Sequence, residues 1–280
     1  MPEKLEAMIE VDTLQFIEPE YSSLINNGEP AILICDAKPK NGDARILVDE
    51  EENPLLFAVK NENIWYATAW IYRLPTAEEL ALFEEAEGDM YQEPRSDIEK
   101  ALREYFMRKI IREGPPAGED ITADRIEKMR SLIHEKFGES VDGLCIDACC
   151  GSGIGAMIMR EMGASVLAYD NDPELLRLGI KEGRLLTEDT LCLDGGVASA
   201  YLMDAKYGLG IMLGQMYTYT KDIWKPIVEE IAGITQKTLI TVATEEEAHW
   251  VKEWADGVGK DLEISENNRD FLYDRWVCFG

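Results

Sequence analysis

Asp147, the glycines Gly151, Gly153 and Gly155, and Asp170 are the residues of this chain whose types and spacing suggest chemistry. A glycine has no β-carbon, so its backbone can approach a ligand closely and adopt positive φ. Three of them at alternate positions mark a turn against which a nucleotide-like molecule can lie. Asp170 closes the next apolar stretch, where a carboxylate can accept hydrogen bonds from both hydroxyls of a ribose. Asp172 followed by Pro173 has a different pattern, that of a helix N-cap with proline at the first helical position.

Two ligands compete for the glycine turn. Gly151-Ser-Gly153-Ile-Gly155-Ala156 satisfies the Gly-x-Gly-x-x-Gly/Ala dinucleotide fingerprint, with Asp170 about twenty residues on. A dinucleotide loop, however, starts its glycines at the strand end so that a pyrophosphate reaches the helix N-terminus. Here Asp147-Ala-Cys-Cys intervenes, and an anionic Asp147 suits an ammonium better than a phosphate. The nearby Cys145, Cys149 and Cys150 lack the second Cys-x-x-Cys arm of a zinc site and read as small apolar filling. His134 and His249 fall in predicted helices, outside the site.

The elements around these residues divide by texture. Between 31 and 72 the runs Ala-Ile-Leu-Ile-Cys (31–35), Ala-Arg-Ile-Leu-Val (44–48), Leu-Leu-Phe-Ala-Val (55–59) and 64–72 predict a small antiparallel sheet, broken by polar turns. Ser96 with Glu99 spells a capping box, followed by Ile98, Leu102, Phe106 and Ile110 at helical spacing. Gly114-Pro115-Pro116 ends that helix, and another is expected over 123–136, entered through Thr122 and left near Gly138. Beyond Val141 strand and helix patterns alternate, with strands at 144–147, 165–169, 190–193, 209–213 and 238–243. Helices are expected at 154–162, 173–185, 221–234 and 245–254. Such alternation predicts a parallel sheet with right-handed crossovers. The final stretches 262–265 and 271–279 are too close for a crossover helix, so the last strand must run antiparallel.

Asp147-Ala-Cys-Cys-Gly151-Ser-Gly153, then Asp170, then Asp194-Gly195, resembles the motif series of the class I S-adenosylmethionine-dependent methyltransferases, and the antiparallel last strand is the topological mark of that family. The resemblance covers 141–280, half of the chain. It implies S-adenosylmethionine as cofactor, held by Asp147, Ala148, Cys149, Gly151, Ser152, Gly153, Asp170, Asn171, Asp194 and Gly195. Asp147 would orient the loop and the methionine amino group, Gly151 and Gly153 would back the cofactor, and Asp194 would face the adenine. Cys149 departs from the family, which commonly has glycine there. Acceptor contacts in this family usually come from the loop after the fourth strand, which points to Gln215 and Tyr217 as catalytic residues. That loop lacks the Asp/Asn-Pro-Pro-aromatic element of many base-methylating enzymes.

The whole-chain charge agrees with that absence. Twenty-eight Lys and Arg against 55 Asp and Glu leave −27, a field that repels a nucleic acid. The basic stretch at Lys100, Arg103, Arg108, Lys109 and Arg112 is a local exception, read as a solvated face unless an acidic partner meets it. With 46% hydrophobic residues the chain has the composition of a globular protein. The N-terminus lacks the basic and apolar regions of a signal peptide, no apolar run nears the roughly 20 residues of a membrane span, and the six cysteines are scattered. A cytoplasmic protein with reduced thiols is expected.

The sequence thus predicts an α/β fold: a Rossmann-like, mostly parallel sheet with an antiparallel last strand, preceded by a smaller β-rich N-terminal domain with helices. The expected divisions are 1–93, a helical segment 94–140, and 141–280. The expected activity is methyl transfer to a small molecule or a protein side chain. The alternatives are an NAD(P)-dependent oxidoreductase and a non-catalytic ligand-binding or assembly protein with the same fold.

Overall fold

The structure, a computed structural model, describes residues 4–26, 39–119 and 121–280; the predicted strand 31–35 lies outside the described residues. The chain forms two compact units, Met1–Lys109 and Ile110–Gly280.

In the first unit helix α1 (Lys4–Met8) and strand β1 (Leu14–Phe16) precede β2 (Ala44–Val48), β3 (Pro54–Asn61) and β4 (Ile64–Ala69). Helix α2 (Ala77–Glu85), strand β5 (Asp89–Gln92) and helix α3 (Arg95–Glu113) follow. The sheet order is β1-β4-β3-β2-β5. Its centre is antiparallel as expected, but the outer pairs β1–β4 and β2–β5 are parallel, so the sheet is mixed. These edge strands are three and four residues long, too short to show a hydrophobic alternation. β5 pairs along β2 from Arg45–Asp89 to Val48–Gln92, and an Arg45–Asp89 ion pair at 2.9 Å joins the two strands. Ile46, Val48, Phe57, Val59 and Trp70 fill the core beneath Leu82 and Ala86.

The expected Ser96–Glu99 capping box does not form, because α3 starts at Arg95, two residues before the position a Ser96 cap requires. Its first N–H, on Arg95, donates to Glu50 Oε2 at 2.8 Å, and Glu99 instead accepts from Arg95 Nε at 3.0 Å. A carboxylate from the β2–β3 turn thus does what a local serine was expected to do. The basic residues of α3 are largely spent: Arg103 is buried, Arg108 donates to Glu104, and Lys109 Nζ donates to the Pro19 carbonyl. The division between units falls inside this helix, whose Ile98, Leu102, Phe106 and Met107 are buried, with the Phe106 ring 5.3 Å from Phe16.

In the second unit helix α4 (Ala123–Phe137) leads into β6 (Leu144–Ala148), α5 (Ile154–Glu161), β7 (Ser165–Asp170), α6 (Pro173–Lys181) and β8 (Thr190–Cys192). The chain continues through β9 (Ala205–Gly210), α7 (Lys221–Gly233), β10 (Thr235–Val242), α8 (Glu245–Gly257), β11 (Glu263–Glu266) and β12 (Trp276–Phe279). The strand order is β11-β12-β10-β9-β6-β7-β8. Five strands run parallel, and β12 is antiparallel to both β10 and β11, so the Rossmann-like sheet with its reversed last strand is present.

Several boundaries differ from the sequence expectation: α6 ends at Lys181 instead of 185, β10 begins at Thr235 instead of 238, and α8 runs on to Gly257 instead of 254. The fourth strand is β9, which begins at Ala205 and ends at Gly210, not 209–213. Ile211, Met212 and Leu213 are apolar because they line a cleft, and a run of apolar residues does not distinguish that from a strand. The last strand starts at Trp276 instead of 271. Asp270 accepts from the N–H groups of Leu272 and Tyr273, and the Asn267 amide donates to the Asp274 carbonyl, which holds 267–275 as a shaped connection.

Candidate functional site

β6 is the middle one of the five parallel strands, and from its end the chain turns sharply into α5. Cys149, Gly151 and Gly153 alternate in the left-handed region, with φ of +49°, +53° and +79°. Cys149 therefore keeps the conformation a glycine would favour, at a cost of about 1–2 kcal/mol for its β-carbon. The turn is splinted by Asp170 at the end of β7. Its Oδ2 accepts from the Gly151 N–H and its Oδ1 from the Asp172 N–H, both at 2.8 Å. Burial raises the Asp170 carboxyl above its ordinary range. Ser152 Oγ accepts from Arg184 Nη1 at 2.8 Å, and Arg184 is ion-paired with Glu119, a second tie on the same loop.

Asp147 lies beneath the turn, 1% exposed. Its Oδ2 accepts from the Ala156 N–H at 2.6 Å, in the first turn of α5, while Oδ1 has no partner. Burial, with a smaller push from the charge of Asp170, raises its carboxyl to about 8. Gly155 makes this arrangement possible, since a β-carbon there would stand 2.8 Å from Asp147 Oδ1. Gly153 serves packing, because a β-carbon would collide with Leu185. Gly151 is the glycine with open space: a β-carbon would meet nothing nearer than Leu175 Cδ1 at 4.0 Å.

A cleft of ≈ 500 Å³ opens over these residues, within the usual range for small-molecule sites. Among the residues expected to bind, Asp147, Cys149, Gly151, Ser152, Asp170, Asn171 and Gly195 line it. Ala148 is buried in β6, and Gly153 lies under the helix start. Asp194 is exposed and caps the following turn, accepting from the Gly196 N–H at 2.7 Å. Gln215 and Tyr217 stand on the exposed part of the loop after β9; the Tyr217 hydroxyl donates to Gln215 Oε1, and its ring stacks on Tyr219 at 5.2 Å. They are near each other but do not line the cleft.

Sequence reasoning missed several lining residues. Cys150 lines the cleft together with Cys149, so of the three cysteines read as filling, only Cys145 is core. Asp172 caps α6 as expected, accepting from the Glu174 N–H at 2.8 Å, and it also borders the cleft. Arg125, Met212, Gly214 and Trp224 also line the cleft. The one available signal for these was Met212-Leu213-Gly214 beyond the strand end, where an apolar run meets a glycine with φ +102°. Neither histidine lines the cleft. Among the described residues no group of His, Cys, Asp and Glu is arranged to hold a metal ion, and no helix is long and apolar enough to cross a membrane.

No family model and no curated protein matches the chain. Solved structures similar to it include precorrin-6y C5,15-methyltransferase from Geobacter metallireducens, at 12% identity over 60% of this chain and 93% of that one, TM-score 0.43. A TehB-like SAM-dependent methyltransferase from Corynebacterium glutamicum shares 17% identity over 65% and 96%, TM-score 0.40. Magnesium protoporphyrin IX methyltransferase from Synechocystis, crystallised with bound SAM, shares 12% over 65% and 96%, TM-score 0.42. Likenesses of this degree do not decide what the present chain does.

Proposed function

We propose that the Ile110–Gly280 unit is a class I methyltransferase that binds S-adenosylmethionine in this cleft and methylates a small molecule or a protein side chain. The observation that carries this reading is Asp147: a buried carboxyl group, one oxygen anchored on a helix N-terminus, the other without a partner beside an open glycine turn. An orphaned buried acceptor costs stability unless a donor arrives, and the ammonium of an amino-acid tail is such a donor. Asp170 keeps lone pairs for ribose hydroxyls after accepting two backbone N–H groups. Gly151 leaves space where a side chain would project. Asn171 and Gly195 add polar backbone to the same wall, and Asp194 is proposed to reach the adenine from its exposed cap.

When bound, this cofactor supplies an activated methyl on a sulfonium. The chain then has to align an acceptor in line with it and exclude water. Ile211, Met212, Leu213 and Trp224 supply an apolar wall for that exclusion, and Gln215 with Tyr217 is the proposed acceptor-contacting pair on the same loop. A dinucleotide lacks comparable support, because Asp147 already faces the helix N-terminus that a pyrophosphate would need.

Calorimetry with S-adenosylhomocysteine and with NAD tests the reading. Micromolar binding of the former and none of the latter is expected, and Asp170→Ala should weaken it by about 1–3 kcal/mol. Binding of NAD alone would reverse the assignment.

A further inference from the structure

The cleft is lined by three acids, Asp147, Asp170 and Asp172, and one basic residue. Asp147 and Asp170 end β6 and β7, whereas Arg125 is the one Lys or Arg among the described residues that line it. Arg125 stands in the first turn of α4, its N–H donating to the N-cap Thr122. Its guanidinium is held by three side chains: Nη2 donates to Asp274 Oδ2 at 3.4 Å and lies 3.3 Å from Met212 Sδ, and the Tyr273 ring faces it at 4.8 Å. Asp274 in turn accepts from Thr241 Oγ1 on β10 at 2.6 Å. β10 lies two strands from β6 and three from β7, which at the usual strand spacing is roughly 10 and 15 Å.

This arginine is not tied as a structural arginine would be. Arg73, in the other unit, forks onto both oxygens of Glu79 at 3.0 and 2.7 Å and also donates to Thr68 and the Leu74 carbonyl. The Nε–H is buried without an acceptor in both arginines, but Arg125 has a single long contact to its carboxylate, and its Nη1 makes no hydrogen bond to a described residue. A guanidinium with unspent donors on a cleft wall is suited to the oxygens of a carboxylate or phosphate. The cofactor's own carboxylate is poorly placed to be that anion. It shares a carbon with the ammonium assigned to Asp147, so it stays within about two covalent bonds of it, while the partners of Arg125 are Met212 after β9 and Tyr273 and Asp274 before β12.

Around Arg125 the wall is apolar. The Trp224 ring packs on the bare α-carbon of Gly214, where a β-carbon would come within 2.8 Å of it, and Ile211, Leu213 and Ile223 continue the surface. We infer that Arg125 anchors the methyl acceptor, which is a small amphipathic acid: a carboxylate or phosphate on an apolar or aromatic body. Asp274 and Tyr273 are positioning residues that hold the guanidinium. The inference rests on the methyltransferase reading of the same cleft and narrows its acceptor class.

The test uses the full chain, saturated with S-adenosylhomocysteine, titrated with phenylacetate and phenyl phosphate as anionic probes and phenylacetamide as the neutral one. At least one anion should bind about tenfold or more tighter than the amide. Arg125→Gln should erase that preference, and Arg125→Lys should keep part of it. Both variants should retain S-adenosylhomocysteine affinity within about twofold, which also shows that the cleft remains folded. Equal binding of anion and amide, no anion binding at millimolar concentration, or a preference that survives Arg125→Gln would overturn the assignment. So would loss of S-adenosylhomocysteine binding in Arg125→Gln with 5′-methylthioadenosine binding intact, since Arg125 would then serve the cofactor's carboxylate. A wild-type chain that binds no S-adenosylhomocysteine strikes the proposed function itself; the same anion titrations on the ligand-free chain then read Arg125 separately.

Discussion

Glu79 in the first unit and Asp147 in the second are both buried acids beside the start of a helix, and their surroundings differ. The Glu79 carboxylate receives both Arg73 nitrogens, the Trp70 indole N–H at 3.1 Å and the Thr76 N–H at 2.8 Å. Burial alone would raise its carboxyl, but these donors hold it below the ordinary range. Asp147 has one donor and no counter-ion, and burial leaves its carboxyl at about 8. A polar cluster that closes on itself specifies a fold, and one that stays open beside a cleft has a place for something else. Space is part of the criterion. Glu18 also keeps an unpartnered oxygen and a raised carboxyl, but it does not border the cleft.

Removing each acid breaks or sharpens the contrast. Glu79→Ala strands a buried guanidinium and should cost about 3–5 kcal/mol in urea unfolding followed by circular dichroism. Its S-adenosylhomocysteine affinity should stay unchanged. A loss under about 1 kcal/mol would mean that the Arg73 cluster is not a structural tie. Asp147→Asn should behave oppositely, weakening the same ligand by about 1.5–3 kcal/mol while leaving the ligand-free chain at least as stable at neutral pH.

The direction of that second effect follows from the proton. The Asp147 carboxyl is at about 8 when folded against 3.8 ordinarily, so the ligand-free fold holds a proton that the unfolded chain has released. Its contribution to stability therefore falls as pH rises from 3.8 toward about 8. Ligand binding that needs the carboxylate runs the other way. Affinity should climb by up to about tenfold per pH unit from about pH 6, level off above about 8, and lose this slope in Asp147→Asn. A flat profile in the wild type would show that Asp147 is not ionised on binding.

The smallest expected effect concerns Cys149. Its left-handed φ is relieved in Cys149→Gly, which should raise stability by up to about 1 kcal/mol net of the added chain entropy, read as a higher melting temperature with ligand binding retained. A destabilised variant would show that the thiol's contacts outweigh the backbone strain.

The order of these effects parallels what local sequence could and could not reveal. Asp147, the glycines, Asp170 and the alternation of strands and helices were readable because each depends on neighbours within a turn or two: periodicity, positive φ, an acid at a strand end. The cap of α3 was not, since Glu50 reaches it across 45 residues. Neither was the left-handed Cys149, where a side chain stands in a turn that favours glycine. The cleft lining around Arg125 is the clearest case, because Arg125 meets Met212 and Asp274 at separations of 87 and 149 residues.

By itself the sequence determined the α/β order of the second unit, its reversed final strand and the acid-glycine turn, because short-range sterics and burial period act on contiguous residues. Tertiary structure alone decided which glycine faces open space, which acid is left with a free oxygen, and which cation joins the cleft. Those outcomes depend on side chains brought together by the sheet from distant parts of the chain, and no local pattern encodes their distances.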